Sequence, residues 1–350
     1  MATASRSEAS RHSETQDVPP SLVLRRMIDG YQLSQALYVV ATLGVAELLS
    51  AGPRTNDEIA EVVGAHPSTL YRVLRALASV GVFHELDGAW FSLTPLGRCL
   101  QADAVEPVGA WAMFVGRDYH WRAWGRLLDS VRSGENAFRQ VHGLSGWEYR
   151  ARNPPENAIF DRAMTDLSRR ASQAIVEAYD FGRHTTVMDV GGGRGALLAA
   201  ILARYPTVRG QLFDLPHVVS DSLSVLEGAG VAERCEVISG DFFDAVSSGA
   251  DAYLLKTVLH DWDDEHALRI LRACREASVC GGALLEVEWD LGPRNAARDA
   301  KLSDLEMLVG TGGRVRSLAQ HATLLTRSGF HLERSQKMRS GFSLIQAVAV

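Results

Sequence analysis

In the second half of the chain, short apolar runs alternate with stretches whose apolar residues recur every three to four positions. That alternation predicts an α/β fold with a doubly wound, mostly parallel sheet. Residues 185–190, 209–213, 235–239, 251–259 and 283–289 read as strands, with two terminal strands near 331–337 and 342–348. Residues 196–202, a segment from Pro216, about 263–277 and 318–328 read as the intervening helices. Ahead of them, Asn153 to Asn157 opens a helix that runs to about Tyr179, with Phe160, Met164, Leu167 and Ala171 along one face.

The first hundred residues carry a different pattern. From Leu22 to Leu49 the apolar spacing is helical, and Gly44 separates one stripe (Leu33, Leu37, Val40, Ala41) from the next (Val45, Leu48, Leu49). Thr55 followed three residues later by Glu58 is a capping box. A second helix from Pro67 and Ser68 to Val80 and a hairpin over 82–93, turning at Asp87-Gly88, complete a winged helix. Residues 1–20 are too polar to bury a core and read as a disordered tail. The division expected is that tail, a winged-helix dimerisation domain over 21–100, a helical linker over 101–180 and an α/β domain over 181–350. Aromatic residues crowd the linker, at Tyr119, His120, Trp121, Trp124, Phe138, Trp147 and Tyr149, as a core or as an aromatic-lined pocket.

Composition narrows the function. The chain has a net charge of −6 and is 46% hydrophobic, which favours small-molecule chemistry over nucleic-acid or membrane-surface binding. A winged helix could belong to a ligand-sensing transcription regulator. Between Thr55 and Arg98, however, Asp57, Glu58, Glu61, Glu85 and Asp87 outweigh Arg72, Arg75 and Arg98, the opposite of a phosphate-binding module. Cys99, Cys235, Cys274 and Cys280 form no C-x-x-C pair and no apolar run is long enough to span a bilayer, so the expectation is reduced thiols, a cytoplasmic protein and no zinc site.

The densest chemical signal is Asp189-Val190-Gly191-Gly192-Gly193-Arg194-Gly195, between a strand and a helix. Glycines there reverse the chain and leave no Cβ against a ligand. The spacing also fits a dinucleotide fingerprint, with Asp214 ending the next strand as an acceptor for ribose hydroxyls. Asp189 inside the strand and Gly195 in a G-x-G-x-G pattern favour S-adenosylmethionine over NAD. Other candidates at strand ends are Asp241, Phe242, His260 and Glu288. The run from His260 to His266 is rich in His and Asp, but Asp263 and Asp264 suit a helix N-terminus, so no metal is expected. His260, ahead of that helix, can face the ligand crevice as a catalytic residue.

These motifs occur together in one known family. The glycine turn, Phe213-Asp214-Leu215-Pro216, Gly240-Asp241-Phe242-Phe243 and Leu259-His260-Asp261-Trp262 follow one another as in the S-adenosylmethionine-dependent O-methyltransferases of the plant caffeate and bacterial secondary-metabolite type, which the chain resembles from Asn153 to Val350. The winged helix resembles that family's dimerisation domain. The resemblance implies a class I methyltransferase domain, a homodimer, and S-adenosylmethionine converted to S-adenosylhomocysteine. It implies Asp189, Gly191 and Gly193 at the cofactor, Asp214 on its ribose beside Leu215, Asp241 and Phe242 flanking its adenine, and Lys256 and Trp262 in contact with it. His260 would be the general base, oriented by Glu288, and Trp124, Met164, Met307 and Thr311 would line the pocket of a small aromatic acceptor. The expected reaction is methylation of a phenolic hydroxyl of an aromatic natural product such as an antibiotic. Alternatives within the same resemblance are N-methylation, or decarboxylation, hydroxylation or ring closure with the cofactor retained.

One position departs from the pattern. Where the plant enzymes carry a second histidine-orienting glutamate, this chain has Val315. A phenol near pKa 10 facing a histidine near 6.5 leaves a gap of about 3.5 units, roughly 5 kcal/mol, that the site must offset. An acceptor acidified by a carbonyl or fused rings shrinks it, and proximity then carries more of the reaction.

Overall fold

The computed structural model describes residues 18–350, so most of the tail expected over 1–20 lies outside the described residues. Strands β1 (Arg54–Thr55), β2 (Phe83–Leu86) and β3 (Trp90–Leu93) form a small antiparallel sheet in the order β1-β3-β2. It packs on helices Asn56–Val63 and Pro67–Ala78, in the order expected of a winged helix. The capping box is formed: Thr55 Oγ1 accepts the Glu58 N–H at 3.2 Å and the Glu58 carboxylate accepts the Thr55 N–H at 2.8 Å. Leu70, Leu74 and Leu77, spaced for one helix face, are buried with Phe83 and Phe91. Strand β1 was not legible in the pattern, because two residues carry no periodicity.

The two helices expected before it are three: Pro20–Ile28, Gly30–Thr42 and Val45–Leu48. The break at Gly44 (φ 66°) is present. A further break falls at Asp29, which apolar spacing alone does not reveal because the stripe continues across it. The first of these helices buries nothing and exposes Leu24, Met27 and Ile28, at 58%, 71% and 65%.

The large sheet comprises β4 (Thr186–Val190), β5 (Arg209–Asp214), β6 (Cys235–Ser239), β7 (Ala252–Lys256), β8 (Ala283–Glu288), β9 (Phe330–Lys337) and β10 (Ser343–Ala349). Their order is β6-β5-β4-β7-β8-β10-β9, with β10 antiparallel to both neighbours. Both faces are covered, which explains the near-continuous apolar strands. Met188, Val190, Tyr253 and Leu255 pack with helices Asp264–Ala277 and Leu318–Arg327 on one face. Val187, Leu212, Leu254 and Leu285 pack with helix Ala196–Arg204 and with Ile175 of the long helix Pro154–Ala178 on the other. The strand order reverses between β4 and β7, and the crevice at their carboxyl ends is where such sheets bind ligands.

One strand boundary differs from the pattern. The strand read over 251–259 ends at Lys256, because Thr257 takes a left-handed conformation (φ 52°) and Leu259–Asp261 form a 3-10 turn. Val258 and Leu259 are apolar because they fill the core, not because they extend the strand. The linker aromatics Tyr119 and Phe138 are buried in one cluster with Phe114 and Val309, Trp124 and Tyr149 pack against it, and Trp121 is exposed at 37%.

Candidate active site

The glycine turn leaves β4 with Gly191, Gly193 and Gly195 at φ 70°, 61° and 82°, values that side chains other than glycine rarely adopt. A Cβ at Gly192 would sit 2.7 Å from the Asp189 carboxyl carbon and one at Gly191 would sit 2.9 Å from Val258 Cγ2, whereas a Cβ at Gly193 would face open space. Gly195 also packs closely against the sheet. Its Cβ would strike Leu212 Cδ2 at 3.0 Å, so it serves close packing of helix against sheet.

Around this turn the chain gathers groups suited to an adenosyl ligand. Asp214 accepts the Gly193 N–H at 2.8 Å and the Leu215 N–H at 2.7 Å, one on each oxygen, and its other lone pairs are free for a diol. Burial raises its pKa and those two N–H groups oppose the shift. Asp189 is buried with Oδ2 unpartnered, and burial pushes its carboxyl up to about 7. Lys256, at the end of β7, donates to Ser168 Oγ of the long helix at 3.0 Å; burial lowers its pKa against the pull of Asp189. Beyond β6, Asp241 Oδ1 accepts the Phe243 N–H at 2.8 Å, while the Phe242 and Phe243 rings stand edge-on to Trp262 at 6.2 and 4.7 Å. An aromatic wall, an open glycine edge and carboxylates with spare acceptor capacity fit the cofactor expected.

His260 projects from the 3-10 turn with 12% of its side chain exposed, enough to meet a ligand. Its Nδ1 stands 3.2 Å from Glu288 Oε2, off line for a completed hydrogen bond. The other oxygen, Glu288 Oε1, accepts the N–H groups of Val258 and Leu259 at 3.1 and 3.0 Å, so one buried carboxylate holds both the turn and the ring. Burial would lower the His260 pKa, but the Glu288 charge and then Asp261 outweigh it and raise it. Glu288 moves the other way: burial opposes its ionisation, and His260 and the Leu259 N–H hold it below the usual carboxylate range. Burial pushes Asp261 up to about 6.

The position of the missing glutamate is filled differently. Val315 is buried and its N–H donates to Asp304 Oδ1 at 2.8 Å. Next to it, the fully buried Arg316 donates to the carbonyls of Leu259 and Trp262 at 2.7 and 2.8 Å and to Asp264 Oδ1 at 2.9 Å. The Arg314 N–H adds a bond to the His260 carbonyl at 2.8 Å. A Cβ at Gly313 would lie 2.2 Å from that carbonyl oxygen. Gly313→Ala is therefore expected to displace the turn that carries His260 and Trp262, lowering kcat at least about tenfold; steady-state rates on the variant check it.

The four acceptor-side candidates lie on elements that meet. Trp124 and Met164 pack on one cluster with Val309, the Trp124 Nε1–H donates to Glu306 Oε2 at 2.9 Å, and the Thr311 hydroxyl donates to the Met307 carbonyl at 3.2 Å. Glu306 also takes His120 Nε2 at 2.8 Å. Ser168, Asp261, Glu306 and Arg316 join the site without having been singled out from the sequence. Of these, only Asp261, beside His260, had a local signal.

The chain matches two family models: an O-methyltransferase domain over residues 124–331 and an O-methyltransferase dimerisation domain over residues 26–103. It is 41% identical to the phenazine O-methyltransferase of Lysobacter antibioticus, over 94% of this chain and 96% of that protein. It is 42% identical to the mitomycin biosynthesis 6-O-methyltransferase of Streptomyces lavendulae, over 90% of each. The fold is also similar, at a TM-score of 0.78 and 34% identity over 91% of this chain and 96% of the other, to an O-methyltransferase from neocarzinostatin biosynthesis solved with S-adenosylmethionine and 2-hydroxy-5-methyl naphthoic acid.

Proposed function

The chain belongs to the O-methyltransferase family and is an S-adenosylmethionine-dependent methyltransferase with the class I fold, and from that premise we propose that it methylates a phenolic hydroxyl of an aromatic natural product with His260 as general base. The observation that carries the reading is the His260–Glu288 pair, seated on the rim of the crevice that the glycine turn opens. Bound S-adenosylmethionine supplies an electrophilic methyl group and is left as S-adenosylhomocysteine.

The chain's own groups do the rest. Asp214 accepts the ribose hydroxyls, with Leu215 beside it and Gly191 and Gly193 along the methionine end; Asp241, Phe242 and Trp262 hold the adenine; and Asp189 and Lys256 sit beneath. His260 takes the hydroxyl proton on Nε2, while Glu288 stabilises the imidazolium from the Nδ1 side. Trp124, Met164, Met307 and Thr311 shape the acceptor pocket. The aromatic acceptors named for the relatives, phenazine and naphthoic acid among them, support an aromatic acceptor here. Incubation with S-adenosylmethionine and a panel of hydroxylated bicyclic and tricyclic aromatics should yield S-adenosylhomocysteine and methylated product in equal amounts; S-adenosylhomocysteine with no methylated product would sink the reading.

The raised pKa of His260 sets the acid limb of the rate profile. As pH falls through that value the base is protonated and kcat/KM declines. Glu288→Gln removes the charge that holds the value up, so the limb should move to lower pH while the plateau drops. A limb that stays in place would remove Glu288 from the role.

The exposed apolar residues of helix Pro20–Ile28, together with the dimerisation-domain match, support a homodimer. Leu24→Glu combined with Met27→Glu should weaken the dimer by about 10⁴-fold or more, since two side chains in each of two copies lose about 1.5–3 kcal/mol of burial apiece. Sedimentation that is unchanged would place the interface elsewhere.

A further inference from the structure

Arg150 is 5% exposed near the end of helix Gly146–Arg152, yet its Nε and Nη2 have no hydrogen-bond partner and no carboxylate pairs with it among the described residues. Its guanidinium is stacked instead, with Cζ 3.9 Å from the centre of the Phe160 ring and 4.6 Å from that of Trp147. Two more buried donors in this neighbourhood are without an acceptor, Trp147 Nε1–H and the Tyr119 hydroxyl.

The location is not arbitrary. Trp147 lies nearly parallel to Trp262, ring centres 6.3 Å apart, and Trp262 follows His260 by two residues. On the other side Phe160 precedes Asp161, whose Oδ2 stands 3.8 Å from Arg194 of the glycine turn. The guanidinium is thus stacked on a ring that packs against Trp262, two residues from His260, and on a ring next in sequence to Asp161, which reaches Arg194 of the glycine turn. A desolvated, unpaired cation is among the most costly features a fold can carry, and it is tolerated where a ligand completes it. Burial lowers the pKa of Arg150, and the neighbouring Tyr119 hydroxyl, followed by Asp261 and Asp161, which do not pair with it, opposes the shift.

We propose that Arg150, with Trp147 Nε1–H and the Tyr119 hydroxyl, is the seat of a carboxylate carried by a ligand of the crevice. The planar fork of an arginine held flat against two rings matches a carboxylate edge-on. Two ligands could bring that group. One is the amino-acid end of S-adenosylmethionine; the other is an aromatic acceptor that bears a carboxylate, a source that rests on the acceptor class proposed above.

Binding to Arg150→Met, measured by calorimetry on the full chain, tests this without needing turnover. In the first arm, S-adenosylhomocysteine is compared with its decarboxylated analogue. In the second, a hydroxynaphthoate is compared with the corresponding naphthol on protein saturated with S-adenosylhomocysteine. The wild type should prefer the carboxylate-bearing member of one pair by at least about tenfold, and Arg150→Met should lose that preference while binding the other member as before. The arm that responds identifies the source. The ligand-free variant should melt no lower than the wild type, because an unpaired buried charge has been removed. Equal affinities within both pairs for wild type and variant, failure of either naphthalene to bind included, overturn the proposal. Because both arms read binding, absence of methyl transfer would count against the proposed reaction and not against Arg150.

Discussion

His260→Ala is expected to lower kcat by about 10²–10⁴-fold with a neutral phenolic acceptor, the range a positioned general base contributes, while S-adenosylmethionine binds as in the wild type. The ring sits on a turn held from below by Glu288 and from the side by Arg316, so removing it leaves the crevice intact and takes away only the proposed proton acceptor. Acceptor acidity tunes the defect. Each unit by which the acceptor's pKa falls below 10 removes about 1.4 kcal/mol from the transfer His260 assists, so an acidified hydroxyl should show a smaller loss. A defect independent of acceptor pKa would mean that His260 positions the acceptor without deprotonating it. Steady-state rates for a graded series of acceptors distinguish the two.

Asp214→Ala should weaken cofactor binding by about 10²–10⁴-fold, because the proposed ribose contact consists of two hydrogen bonds to a carboxylate, worth about 1.5–3 kcal/mol each. The same substitution strands the N–H groups of Gly193 and Leu215, which lie against the carboxylate, so the glycine turn loosens as well. Asp214→Asn keeps one acceptor oxygen and should fall between the two. Calorimetric Kd values for S-adenosylhomocysteine check the series, and a Kd within about threefold of wild type for the alanine variant would move the ribose off Asp214.

The parts of this arrangement that were legible in the sequence are those with local signatures. The capping box at Thr55, the hairpin turn at Asp87-Gly88, Asp263 as a helix cap and the β6 boundaries depend on neighbouring residues, and each is present. Apolar periodicity fails where the core borrows residues from irregular backbone. Val258 and Leu259 continue the hydrophobic run of β7 beyond the left-handed Thr257, so the strand was read three residues too long. Asp29 breaks the backbone between two helices without breaking the apolar stripe, so spacing does not reveal it. Residues that act across long sequence separations left no trace: Arg316 clamps carbonyls more than fifty positions away, and Arg150 reads as one more surface arginine until its burial is known. The pattern shows Gly195 as part of the glycine turn but not its close approach to Leu212 in the sheet, which depends on the tertiary packing.

The most direct test of the account uses S-adenosylmethionine with a trideuterated methyl group and aromatic acceptors that carry both a hydroxyl and an amino group, with the product read by mass and by NMR. One trideuteromethyl group on the hydroxyl oxygen and an equal amount of S-adenosylhomocysteine are expected. Label on nitrogen, or an acceptor transformed with the label left on the cofactor, would contradict it.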